Sequence, residues 1–410
     1  MRPETKVEAL AQHFARKLTE GDTLIHGGYS VVRNRVKVRY RAGHWRLDPP
    51  ISVEEVQLAA NDMPTNKATG PDKLPAEFYK RLPALGQVAP KLFTQMIEDN
   101  YIPREVCCYD ILPFDKASKN PALCSRGRPI SLLSSYMKLL ESIIVRRLTA
   151  GLETLMASGQ YAYLRQRSTE LLLADLDSFS QDGVSQNKTT YLVGLDMEGA
   201  FDNANLLRLM EAPEAHRESP ILCRFIGNWL TIRKSRVRLM APSGYYYSRP
   251  YEQSRGVPQG GVLSPLLWLI LINRIPTMVG EELQPLIPEI RLADDYMMQI
   301  YADDISIVLR DTDSQRVAAA AHRLIEVLGR VLAEIGLKLS LQQCKNSLIF
   351  AMRQALGLFK RGDPSTRWMK VKESTRMKAL KTLVTTEGGS GSSMPLLPSQ
   401  NTESIKLLGL

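Results

Sequence analysis

At 410 residues the chain is long enough for two or three domains, or for one multi-lobed domain. Its 44% hydrophobic and 23% charged content is that of a soluble globular protein, while a net charge of +10 and a pI near 9.3 favour a polyanionic partner, nucleic acid first. The five cysteines (Cys107, Cys108, Cys124, Cys223, Cys344) exclude a disulfide framework and a paired zinc spacing. The longest apolar run, Val262 to Ile272, is about half of the ~20 residues that cross a bilayer, and no signal-peptide pattern opens the chain, so the expectation is an intracellular protein.

Along the chain, Val7, Leu10, Ala11, Phe14 and Leu18 recur at helical spacing, and Arg33 to Arg41 alternates cations with Val36 and Val38 as a half-exposed strand does. Ser52-Val-Glu-Glu55 has the form of a capping box and predicts a helix through about Met63. Asn66-Lys-Ala-Thr-Gly-Pro-Asp72 reads as a turn. From Ala76 to Leu155 the pattern is mainly helical, broken by Pro103, Pro113, Pro121 and Pro129. Thr190-Tyr-Leu-Val-Gly-Leu195 is a short β-prone run that delivers the chain to Asp196. Met298 to Ala302 does the same for Asp303, and Ile305 to Leu309 follows it, giving strand, tight turn, strand. Val317 to Ile335 is a long amphipathic helix. Residues 353–381 are rich in Arg and Lys, and Gly388-Gly-Ser-Gly-Ser-Ser393 has a linker's composition.

Nucleotidyl transfer needs two metal ions roughly 4 Å apart, one at the attacking hydroxyl and one at the triphosphate. Magnesium takes hard oxygen ligands, commonly one or two carboxylates with phosphates and water. Asp196 at one strand end and Asp303-Asp304 in a hairpin turn, 107 residues further along (303 − 196), supply carboxylates of that kind. Either feature alone is ordinary turn chemistry.

The surrounding residues decide the reading. Tyr301-Ala-Asp-Asp304 resembles the catalytic box of reverse transcriptases. Asp196-Met-Glu-Gly-Ala-Phe-Asp202 is similar to the same enzymes' first acidic motif, an Asp followed five positions later by an aromatic residue. Arg255-Gly-Val-Pro-Gln-Gly-Gly-Val-Leu-Ser-Pro265 resembles the motif between them. Order is kept, with 63 residues from Asp196 to Gln259 and 44 from Gln259 to Asp303. Asn66 to Asp72 and Arg128-Pro-Ile-Ser-Leu132 look like fingers segments of the non-LTR retrotransposon branch, and Gly336 to Lys345 resembles the next palm motif. The resemblance covers about residues 52–350.

The resemblance implies an α+β fold of the right-hand polymerase type, with fingers and palm, a small antiparallel palm sheet backed by helices on one face, and no thumb. Residues 1–60 are then an N-terminal extension, 61–195 fingers with part of the palm, and 196–350 the catalytic palm. A basic, flexible segment, 351–410, ends as a primer-grip-like strand begins at Ile405 to Leu410. It also implies RNA-directed DNA polymerase activity from a truncated non-LTR (LINE-like) retrotransposon polyprotein. The partners are an RNA template, a DNA primer or nicked target DNA, and deoxynucleoside triphosphates, with no membrane. The nucleus is the place expected for target-primed synthesis, and the cytoplasm the alternative.

By the same similarity Asp196 and Asp303 are ligands of two Mg2+ ions, with Mn2+ as the alternative, and Asp304, which supports the turn, is the third residue of the catalytic and metal-ligand set. Phe201 sits under the incoming sugar and rejects a 2′-hydroxyl by collision, while Gln259 and Gly260 lie beside the nucleotide. Arg128, Arg165 and Arg167 are candidates to neutralise the triphosphate, and Lys345 to protonate the leaving pyrophosphate. Asp202 is expected to cap, or to form a salt bridge at, a helix running from Asn203 to Glu211, with a further ligand role as the alternative.

The chain departs from the family at Gln160-Tyr-Ala-Tyr-Leu-Arg-Gln-Arg-Ser-Thr169, where Leu164 replaces an Arg and Ala162 and Gln166 replace glycines. Thr69 and Lys73 likewise stand for Pro and Gly. These departures keep open a second reading, a catalytically impaired nucleic-acid-binding remnant. A group II intron-type reverse transcriptase is the third.

Overall fold

The computed structural model describes residues 2–19, 46–82, 85–115, 127–150, 155–215, 219–340 and 347–352. The Arg33–Arg41 strand, Lys345, the basic 353–381 segment, the 388–393 linker and the 405–410 strand all lie outside the described residues. In chain order the elements begin with helices α1 (Pro3–Thr19), α2 (Val53–Asp62), α3 (Ala76–Lys80) and α4 (Leu85–Glu98), strands β1 (Cys108–Asp115) and β2 (Gly127–Leu132), and helices α5 (Ser135–Thr149) and α6 (Thr169–Ser185). Next come β3 (Thr189–Asp196), α7 (Ala200–Asn203), α8 (Leu206–Ala215), α9 (Pro220–Ile232), β4 (Lys234–Ala241), β5 (Gly244–Tyr247), β6 (Tyr251–Glu252) and α10 (Ser264–Ile272). The order ends with α11 (Ile275–Leu283), α12 (Leu292–Asp295), β7 (Tyr296–Tyr301), β8 (Asp304–Asp311), α13 (Ser314–Glu334) and β9 (Ser347–Met352). Mixed helices and sheets of this kind are an α+β fold.

Two compact units divide the chain discontinuously. The first takes Met1–Leu155 and Ala200–Leu271, and the second Met156–Gly199 and Ile272–Leu410.

In the first unit a sheet runs β2-β1-β4-β5, with β6 added to β4. The sequence read this region as helix interrupted by prolines, and the structure places Pro113 and Pro129 opposite one another in the β1–β2 ladder. Neither proline has an N–H to lose, and β4 pairs with β1 only from Cys108 to Ile111, so no ladder bond is forfeited. Asp110 on β1, 1% exposed, pairs with Arg236 and Arg238 of β4 at 2.7 and 3.6 Å. The Ser52 capping box forms as expected, Ser52 Oγ accepting from the Glu55 N–H while Glu55 accepts from the Ser52 N–H. The predicted turn at Asn66–Asp72 ends in a cap for α5, because one Asp72 carboxylate oxygen accepts from the Ser135 N–H and the hydroxyls of Ser134 and Ser135. α10 is apolar all round and almost wholly buried, which accounts for the Val262–Ile272 run as a core helix.

In the second unit the sheet is antiparallel and ordered β7-β8-β3-β9. β3 and β8 are buried on both parities. Leu192 and Val308, register partners, join the core with Leu172 and Leu176 of α6. The alternate residues, among them Tyr191, Val193, Ile305 and Ile307, are equally buried, and α13 packs on the same two strands. Helices therefore flank both faces, where one was expected, because side chains of both parities are apolar. α13 buries Val317, Ala321, Leu324, Leu328 and Val331, a stripe at helical spacing.

Candidate functional site

Asp196 ends β3 and Asp304 begins β8, and the two are register partners at the end of the ladder. The hairpin joining β7 to β8 is a two-residue connection, with Tyr301 paired to Asp304 and Ala302-Asp303 at its tip. Ala302 has φ of +57°, a left-handed backbone that is costly for a residue with a Cβ. The tip is tied to β3, since the Met197 N–H donates to the Asp303 carbonyl at 3.0 Å. On the other side of β3 the Ser340 N–H donates to the Asp196 carbonyl at 2.8 Å, and Met197 bridges Leu339. Asp196 itself is 9% exposed. The three acidic residues singled out in the sequence thus come together at one end of the sheet.

Among the described residues no group of three or more His, Cys, Asp or Glu side chains converges to hold a metal unaided. Two carboxylates, however, are what Mg2+ commonly takes from a protein, with waters and substrate phosphates filling the remaining positions. The donor set of Asp196 and Asp303 fits that demand.

The stretch after Gly159 lies along the outer edge of β7. The Ile300 N–H donates to the Gly159 carbonyl at 2.7 Å, and the Tyr161 N–H to the Ile300 carbonyl at 3.0 Å. Beyond it, Tyr163 has φ of +60° and Gln166 has φ of +59°. Partial burial, with Asp303 and Tyr301 nearby, pushes the Tyr163 hydroxyl up, although the residue as a whole is half-exposed. Arg165 is exposed. Arg167 is half-buried, its guanidinium 5.0 Å from the Tyr161 ring centroid and donating to the Ser158 carbonyl at 2.8 Å. Part of its fork is therefore committed locally.

The first unit gathers the other candidates. Phe201 stacks on the buried Trp268 of α10, ring centroids 5.4 Å apart and planes at 23°. Its carbonyl accepts from the Val257 N–H at 2.8 Å. Gln259 Nε2 donates to Asp202 Oδ1 at 2.9 Å, and the Gln259 carbonyl accepts from the Ser131 N–H at 2.7 Å. Gly260 has φ of +126°, and a Cβ there would lie 2.5 Å from the Ser131 carbonyl, so the turn tolerates no side chain. Arg128 lies on β2, three residues before Ser131. Asp202, expected as a helix cap, is instead the buried acceptor that orients Gln259. The cap role falls to Asn205, whose Oδ1 accepts from the N–H groups of Leu207 and Arg208, and the expected Asn203–Glu211 helix is accordingly split into α7 and α8.

Sequence reasoning missed Ser131 and Glu141. Glu141 Oε2 accepts from the Val262 and Leu263 N–H groups at 2.7 and 3.1 Å. Burial pushes its carboxyl up to about 7, against the pull of those two donors, Lys138 and Arg233. A signal was available. Met137, Glu141, Ile144 and Leu148 recur at helical spacing, so the Glu occupies an apolar stripe.

Residues 116–410 match the family model described as reverse transcriptase (RNA-dependent DNA polymerase). The chain is 28% identical over 284 residues to the RNA-directed DNA polymerase from mobile element jockey of Drosophila melanogaster, which covers 68% of this chain and 29% of that protein. It is 27% identical over 273 residues to the retrovirus-related Pol polyprotein from type-1 retrotransposable element R1 of Bradysia coprophila, covering 64% and 24%. For the corresponding R2 polyprotein of Popillia japonica the match is 27% over 259 residues, covering 61% and 34%. The chain thus spans about a third or less of the length of these relatives.

Proposed function

Because the chain belongs to the reverse transcriptase (RNA-dependent DNA polymerase) family, we propose that it is the RNA-directed DNA polymerase of a non-LTR retrotransposon, extending a DNA primer on an RNA template with deoxynucleoside triphosphates. The observation that carries the reading is the register pairing of Asp196 with Asp304, with Asp303 adjacent at the hairpin tip. On this reading the four-stranded antiparallel sheet is the palm sheet, residues 61–195 make the fingers with part of the palm, and 196–350 the catalytic palm.

Asp196 and Asp303 would hold two divalent ions, Mg2+ or Mn2+. Bound there, such ions lower the cost of ionising the attacking 3′-hydroxyl and of the charge that develops on the leaving pyrophosphate. The chain's own residues do the rest. β3, β7 and β8 fix the carboxylates on rigid strands, which limits reorganisation when charge develops. Phe201, backed by Trp268, excludes a 2′-hydroxyl. Gln259, its amide oriented by Asp202, and Gly260, bare of side chain, present polar edge and backbone to the nucleotide. Arg128, Arg165 and Arg167 supply cations for the triphosphate, and Lys345 a proton for pyrophosphate. The nucleus is the compartment that target-primed synthesis requires. Among the described residues no helix is long and apolar enough to cross a membrane.

Primer extension on an RNA template with Mg2+, comparing the chain with Asp196→Ala, tests the reading. Deoxynucleotide incorporation that vanishes in the variant supports it, and incorporation that persists unchanged rejects it. A second reading, a nucleic-acid-binding remnant without synthesis, is favoured by Leu164 and by the local engagement of Arg167. It predicts retained RNA affinity in filter binding with zero incorporation by either protein.

A further inference from the structure

We propose that Glu141 is the positioning residue of the Gln259–Gly261 turn, holding from behind the segment that meets the incoming nucleotide. The proposal rests on the nucleotide-binding reading given above for that turn. Glu141 is 1% exposed and has no path to substrate. It acts through the backbone. Oε2 receives the Val262 and Leu263 N–H groups, the two residues directly before α10. These are orphan donors of a helix entrance, which would otherwise be buried without partners.

The turn is consequently held at two points by different elements. β2 holds its first half, through the Ser131 N–H on the Gln259 carbonyl. α5 holds its second half, through Glu141. A Cβ at Gly261 would lie 3.3 Å from Glu141 Oε2 and 2.7 Å from Ser264 Oγ, so the carboxylate is packed directly under the turn. Glu141 Oε1 is buried without a hydrogen-bond partner among the described residues. A side chain required only for folding would be cheaper as a Leu or Met here, because the flanking positions of α5 are apolar. The charged groups that face it are Lys138, on its own helix, and Arg233, at the end of α9. Its hydrogen bonds come from the two backbone donors of Val262 and Leu263.

The test uses the full chain in three forms, wild type, Glu141→Met and Glu141→Gln. Met keeps the volume and removes the acceptor, whereas Gln keeps an acceptor oxygen at the same reach. Hydrogen exchange across residues 257–265 is read first, without substrate. The expected result is faster exchange there in Glu141→Met, with exchange elsewhere unchanged, and near wild-type protection in Glu141→Gln. In primer extension the KM for deoxynucleotide is expected to rise about tenfold in the Met variant, more than kcat falls, with rescue by Gln. If the Met variant does not fold, Glu141→Asp replaces it, because the shorter side chain withdraws the oxygen by about 1.5 Å while keeping the carboxyl group. Unchanged exchange in the Met or Asp variant overturns the proposal, as does a KM unmoved in a variant whose turn has loosened. Loosened exchange in a protein with no synthesis in any form supports the brace and rejects the polymerase reading instead.

Discussion

Asp196 and Asp304 are the last register pair of an antiparallel ladder that starts at Thr189 and Asp311. Opposed residues in such a ladder have Cα atoms about 4.5–5.5 Å apart. Like charges at that spacing repel one another, and on the proposed reading a divalent cation would offset the repulsion.

That repulsion gives a readout independent of synthesis. Mg2+ or Mn2+ at about ten times its dissociation constant should raise wild-type stability by about 1–2 kcal/mol, seen as a Tm shift of a few degrees. Asp303→Asn should lose most of the shift. An equal shift in both proteins removes Asp303 from the metal set.

Phe201 is predicted to govern sugar selection. Phe201→Val should lower the ratio of kcat/KM for deoxynucleotides over ribonucleotides by about tenfold or more, an effect of at least ~1.4 kcal/mol. An unchanged ratio would leave Phe201 as a packing partner of Trp268 alone.

Glu141 links stability to pH. Its folded-state pKa, near 7, is raised above the ordinary carboxyl value of 4.5, so the folded state holds a proton that the unfolded state has released. The contribution is fully present below pH 4.5 and is lost as pH rises through 7. Between those limits it amounts to about 3 kcal/mol at most. Denaturant titrations from pH 5 to 8 should show Glu141→Gln gaining on wild type as pH rises. Parallel profiles would contradict the assignment.

Lys73 and Gln166, which the resemblance sets at glycine positions, both adopt left-handed backbone, φ of +56° and +59°. Lys73→Gly and Gln166→Gly should each stabilise by about 0.5–1 kcal/mol, the strain relieved less the entropy that Gly adds to the unfolded chain. Additive Tm gains are the expected measurement. Ala162, the third replaced glycine, is not left-handed, and the next residue, Tyr163, takes that conformation.

Arg310, 6% exposed, holds α6 and α12 to β8. It donates to the Asp294 and Phe179 carbonyls and pairs with Asp182 and Asp295, the last of which also meets Lys188. Arg310→Met should destabilise by about 3 kcal/mol, because buried Asp295 loses one of its two cations. Thermal unfolding checks this, and Asp295→Asn in the same background should recover part of the loss.

Legibility followed the physics of each signal. Strands β3, β7 and β8 and helix α13 were readable because apolar runs and helical spacing survive in them. The capping box at Ser52 was readable because all its participants lie within four residues. The β1–β2 pair reads as interrupted helix in the sequence, since two prolines facing one another look like breakers until their register is known. Ser131 and Asp202 were invisible as supports of Gln259, because partners 128 and 57 residues away along the chain leave no local pattern (259 − 131 and 259 − 202). Glu141 is a charged residue in an apolar stripe, a signal local enough to be legible.

β3 lies between β8 and β9, and both neighbours come from later in the chain. A ribosome adding about 5–20 residues per second releases Asp196 about 5–20 s before Asp303, 107 residues behind it (303 − 196). For that interval Thr189 to Leu195 is an apolar segment with both edges open, and β9 emerges later still. Among the described strands, β3, paired on both edges in the finished protein, is thus the one left longest without a partner during synthesis.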